Sequence, residues 1–148
     1  MPPQTVLEEL TGDELTGDHV RQRVDDWSSR IDNLYQKIRG WLPDGWTAQP
    51  GAPVTMNEKA MQIAGVPARA LPTLELLRGG VVEVRIRPDA LWIIPTNGWI
   101  DLVKGGEVYR ISDEAKIFAD PEWRITAMTA RRELKPFTRE RLEAILMS

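Results

Sequence analysis

Apolar residues recur at a helical spacing early in the chain and at a strand spacing later. Val20, Val24, Trp27, Ile31, Leu34, Ile38 and Trp41 are separated alternately by four and three residues. That is a strict heptad seam, and it predicts an amphipathic helix over 19–41. Asp18 is the expected N-cap, and Gly40 with Pro43 the expected stop. At ~1.5 Å per residue the helix is roughly 35 Å long. Pro43-Asp44-Gly45 then predicts a tight turn that brings Trp41 toward Trp46, and 47–55 reads as loop. A short helix follows, with Asn57 as N-cap, Gly65 as C-cap, and Met56 with Met61 as its hydrophobic staple.

Residues 73–112 read as an antiparallel meander. Thr73–Leu77 and Val81–Arg87 are expected to pair across a three-residue loop, setting Leu76 opposite Val82 and Leu74 opposite Val84. Arg87-Pro88-Asp89 is read as a turn into a strand over Ala90–Thr96, and Asn97-Gly98 as a hairpin into Trp99–Lys104. Gly105-Gly106 returns the chain into Glu107–Ser112. That turn pairs Lys104 with Glu107, Val103 with Val108, Leu102 with Tyr109, Asp101 with Arg110 and Ile100 with Ile111. Opposite charges and apolar residues meet, and no like charges do, which supports the register. Both faces of the meander are partly apolar, so helices should cover one and something else the other. Alternation in Trp123, Ile125 and Ala127 predicts a further strand over 123–128, and Thr138 caps a final helix with Phe137 and Leu142 as its staple. The expected fold is α+β: a long N-terminal helix, an antiparallel meander of four to five strands and a short C-terminal helix.

Charge divides the chain. Residues 1–18 carry five acids and no base, and contain Glu-Leu-Thr-Gly-Asp twice in tandem, so they read as an acidic arm ahead of one domain over 19–148. The body holds 17 acids against 19 bases. The absence of cysteine excludes disulfides, thiolate metal sites and thiol nucleophiles. The single histidine, His19, stands at a helix start and reads as solvated. No signal peptide is visible and no apolar run reaches membrane-spanning length, so a cytoplasmic protein without membrane contact is expected.

Chemistry is sparse. Pro88-Asp89 followed by Asp101-Leu-Val-Lys104 approaches a metal-dependent nuclease core, but the last element is one residue too long. Asp101 and Lys104 would lie on opposite faces of a strand, unable to share one metal. Asp113, Glu114, Asp120 and Glu122 fit no calcium loop and read as solvated loop acids. No catalytic residue, metal site or cofactor is assigned.

The heptad helix is the sharpest signal. Its seam is narrower than an ordinary core-facing stripe and its g positions, Arg23, Arg30 and Lys37, are basic. The expected function is therefore a non-catalytic adaptor or regulatory subunit. It would dock on another protein through Val20, Val24, Trp27, Arg30, Ile31, Leu34, Lys37, Ile38, Trp41 and Trp46. A hetero-complex is expected ahead of a parallel homodimer. If the seam is core instead, Trp99 is the next place to look. The alternative is a nucleic-acid-binding accessory protein using Arg131, Arg132, Lys135, Arg139 and Arg141, in a segment of net charge +3, and a second alternative is a metal-dependent nuclease with a degenerate form of the core around Asp89, Asp101 and Lys104.

Overall fold

In a computed structural model, residues 17–91, 98–129 and 133–148 are described. Helix α1 spans Gly17–Trp41. Strands β1 (Trp46–Pro50) and β2 (Val54–Met56) lead into helix α2 (Lys59–Ala64). Strands β3 (Arg69–Leu71), β4 (Leu74–Arg78), β5 (Val81–Ala90), β6 (Trp99–Lys104) and β7 (Glu107–Asp113) follow. Strands β8 (Trp123–Ala127) and β9 (Lys135–Pro136) precede helix α3 (Arg139–Leu146). The main sheet has seven strands in the order β1-β4-β5-β6-β7-β8-β9, every neighbour antiparallel, and β2 pairs with β3 in a small second sheet. The α+β architecture is the expected one, with more strands than the sequence predicts.

Helix α1 lies on one face of the sheet and packs against both α2 and α3. Val20, Val24, Trp27, Ile31, Leu34 and Ile38 are each at most 1% exposed. They join Leu74, Leu76, Val84, Ile86, Ile100 and Leu102 from the sheet in one core. The heptad seam is therefore the chain's own core. Arg23, Arg30 and Tyr35 beside it are also buried, so the buried stripe is as wide as a core-facing helix requires. The aliphatic stems of the two arginines supply what the apolar residues lack.

The β6–β7 register is the predicted one, from Lys104↔Glu107 to Ile100↔Ile111. The β4–β5 register is not. Gly79 and Gly80 form a two-residue turn, both at positive φ. A bulge then skips Glu83, so Leu76 pairs with Val84 and Leu77 with Val82. Pro88 is not in a turn: β5 runs on to Ala90, which pairs with Trp99 across a second irregularity. Beside β6 stands β5, where a strand over Ala90–Thr96 was expected. Residues 92–97, Trp92 among them, lie outside the described residues.

The helix ends differ in detail. Asp18 sits inside the first turn, where its carboxylate accepts from Arg21, so it is not the N-cap. The cap of α2 is Glu58 rather than Asn57; its carboxylate accepts the Leu91 backbone N–H at 2.7 Å. Thr138 caps α3 as expected, accepting from the Arg141 N–H, and Phe137 and Leu142 are both buried. The first 16 residues, most of the expected arm, lie outside the described residues, and Gly17 and Asp18 already belong to α1.

Candidate functional site

Six of the ten residues expected to contact a partner are sealed in the core, as above. Of the remaining four, Arg30 is 3% exposed and forms a buried ion pair. Trp46 is 7% exposed and lies under Arg78, whose guanidinium is 5.2 Å from the ring centroid. Trp41 packs edge-on against Phe137 at 5.5 Å, so the two tryptophans take different neighbours across their turn. Only Lys37 is exposed. The helix expected to bind a second chain has spent its apolar face on its own sheet.

The basic segment is dispersed in the same way. Arg139 donates to the Gly40 carbonyl at the end of α1. Lys135 and Arg141 instead line a small cleft with Tyr109 and Glu133. Tyr109 has its phenol held above the ordinary value by burial and by Glu107. Arg131 and Arg132 lie outside the described residues.

Asp101 and Lys104 do lie on opposite faces, as the nuclease spacing implies. Lys104 Nζ reaches across to the Ser148 carbonyl at 2.7 Å. Asp101 and Asp89 are both engaged by Arg110, at 3.1 and 3.2 Å.

What remains is the sheet face away from the helices. Residues alternate along each strand, so those out of register with the core point there. Two features stand out. Leu77 pairs with Val82, Val103 pairs with Val108, and Val82 and Val103 line one shallow groove. These are two separate apolar pairs, one on β4 and β5 and one on β6 and β7, offset along the strands because Arg85 rather than Val82 lies opposite Val103, and none of the four residues is buried. Toward the other end of the strands, the Arg110 guanidinium stacks on Trp99 at 4.1 Å from the ring centroid, with Asp89 and Asp101 as its counter-ions. Stacking fixes the plane of the guanidinium and keeps Trp99 half-buried under a charged cover.

Arg85 separates two depressions on this face. One, about 450 Å³, runs past Val82 and Val103; the other, about 290 Å³, lies between Pro53, Thr73 and Arg87. The second has a wall because Gly51 lets the 51–53 segment approach β4 closely. A Cβ on Gly51 would stand 2.6 Å from Thr73 Oγ1. Arg85 faces Glu75 at 3.6 Å with most of its side chain exposed.

The buried ion pair was invisible in the sequence. Asp113 is fully buried, not the solvated loop acid expected, because β7 carries it past the last hydrophobic layer to face Arg30 of α1. Burial alone would lower the guanidinium pKa. The hydrogen bond that Arg30 donates to Asp26 and the charge of Asp113 outweigh burial and raise it, so Arg30 stays charged.

Comparison with protein-family models, with characterised proteins and with solved structures finds no match for the chain.

Proposed function

We propose that the protein is a non-catalytic interaction module that docks on another protein through the open face of its sheet. The observation that carries this reading is the pair of apolar contacts Leu77–Val82 and Val103–Val108 left unburied on the face that carries no helix. An antiparallel sheet with one solvated face usually shows polar residues there. Here the two apolar pairs flank Arg85 and lie on the same face as paired charges and a tryptophan, the mixture found at protein interfaces. The partner is a different chain: the seam that offered a parallel homodimer as second choice is consumed by the core.

The experiment is a comparison of what co-purifies with the wild type and with Val103→Glu/Val108→Glu. Both positions are partly exposed, so the double variant should fold, checked by near-UV circular dichroism. Loss of a bound protein from this variant, with retention by Lys37→Glu, supports the reading. Capture that survives the double variant overturns the reading, and capture that nuclease treatment and Lys135→Glu/Arg141→Glu abolish assigns nucleic acid to the basic cleft instead.

A further inference from the structure

We infer that the loop 114–122 presents Phe118 as a preorganised anchor for an apolar pocket on a partner protein, a pocket rimmed by basic residues. This site is separate from the open sheet face and does not depend on what that face binds. Among the described residues Phe118 is the one non-glycine residue at positive φ, +63°. A bulky side chain is strained in the left-handed region, and such strain persists only where the surroundings impose it. Burial does not offset it here: Phe118 is 48% exposed and Ile117 next to it 36%. The fold therefore holds an aromatic residue outward in an unfavourable backbone conformation.

The means of holding it are buried and charged. Arg30 of α1 donates to Asp113 Oδ2 and also to the carbonyl of Ala119, the residue after Phe118. Asp113 Oδ1 accepts the backbone N–H of Ala115 at 3.1 Å and of Glu122 at 2.9 Å, one on each side of the loop. Glu114 N–H closes the loop onto the Glu122 carbonyl at 2.9 Å, and Ala119 N–H onto Lys116 at 3.0 Å. A loop tied at five points loses little further freedom when a partner seizes its tip, and that saving goes into affinity. Exposed aromatic residues on such rigid supports are what interface hot spots are made of.

Charge selects the partner. The loop carries Glu114, Asp120 and Glu122 against Lys116. Asp18 lies on the first turn of α1, where the His19 ring stands edge-on to Phe118 at 6.4 Å. Asp18 is paired with Arg21 and Glu122 with Arg124, so Glu114 and Asp120 against Lys116 leave the tip with a residual negative charge, which is repelled by nucleic acid and by anionic lipid and attracted by a protein pocket with a basic rim.

The test uses the full chain and Phe118→Gly. Glycine takes a positive φ without strain, so the variant should melt at or above the wild-type temperature. A lower melting temperature means that Phe118 serves stability, and overturns the inference. Proteins retained from cell extract by the wild type are then identified, purified and titrated against both chains at 50 and 300 mM salt. The expected result is a protein bound at least tenfold more weakly by Phe118→Gly, with wild-type affinity falling as salt rises. Four further results overturn it. No purified protein distinguishes the two chains. The one that does is indifferent to salt. The wild type but not the variant sediments with phosphatidylcholine or phosphatidylglycerol vesicles. Or the wild type but not the variant dimerises, making the pocket its own.

Discussion

Arg30 and Asp113 are 83 residues apart in the chain and meet at 2.5 Å, one on the long helix and the other at the end of β7. Their side chains are 4% and 0% exposed. A buried pair of this kind is weak evidence of net stabilisation, since desolvation offsets much of its attraction. Its structural consequence is plainer: it joins the helix layer to the sheet layer and fixes the loop between β7 and β8.

Breaking one partner is therefore expected to cost more than replacing both. Asp113→Ala leaves Arg30 with Asp26 and the Ala119 carbonyl and strips the Ala115 and Glu122 N–H groups of their acceptor. The expected loss is about 3 kcal/mol. Arg30→Met/Asp113→Ala should lose less than the sum of the single changes, a coupling measured by a double-mutant cycle in urea.

Trp27 distinguishes core from contact surface. It is 0% exposed and its ring packs against Trp123 at 6.5 Å between centroids. Trp27→Ala should destabilise the isolated chain by about 3–5 kcal/mol, as cavities of this size do. Among the described residues its indole N–H has no hydrogen-bond acceptor. Trp27→Phe loses volume without breaking a hydrogen bond and should cost distinctly less. A Trp27→Ala chain as stable as the wild type in chemical denaturation would contradict the buried seam.

Gly98 enforces the same packing from the sheet side. Its φ is +122°, and a Cβ there would lie 2.6 Å from the Trp27 ring and 2.9 Å from the Ala90 carbonyl. Strain and steric overlap add, so Gly98→Ala should destabilise by about 2 kcal/mol or more. Gly40→Ala meets nothing within 4 Å and serves as the control. Thermal unfolding of both variants reads the difference.

Tyr35 predicts an alkaline response. Burial, and secondarily the charge of Asp32, raise its phenol well above the ordinary value of 10.0. The fold keeps the neutral form, whose O–H donates to the Pro72 carbonyl at 2.8 Å. The stability this shift contributes is whole below the unfolded-state value, about 10, and is lost as pH rises from there toward the folded-state value. Tyr35→Phe should cost about 1 kcal/mol at neutral pH. It should also lose less stability than the wild type above pH ~10, so the two curves converge. Melting temperatures between neutral pH and pH ~11 check this; parallel curves would contradict it.

Where local chemistry decides structure, the sequence was legible. The Lys104↔Glu107 and Asp101↔Arg110 pairs of the β6–β7 ladder follow from a two-residue glycine turn and opposite charges. The β4–β5 register was not legible, because a bulge at Glu83 lets a two-residue turn and apolar pairing coexist. Strands β1, β2, β3 and β9 are short and lack apolar alternation, so they read as loop. The helix misled for a specific reason. Arg23 and Arg30 look like a charged flank in a heptad, yet both are buried. The burial of Arg30 depends on Asp113 and on the Ala119 carbonyl, far along the chain, which no local pattern reveals. The left-handed φ of Phe118 has no sequence signal at all, since it is imposed by a contact 89 residues away, from Arg30 to Ala119.

The two ends of the sheet have a consequence for how further strands can add to it. Among the described residues its outermost strands are β1, which ends in Pro50, and β9, a two-residue strand that ends in Pro136. Proline offers no N–H to an incoming strand, and short rims give little to template on. Growth by adding strands edge to edge, the route to swapped dimers and fibres, is thus obstructed at both margins. Apolar side chains can stand on the flat of the sheet while its margins remain poor seeds for polymerisation.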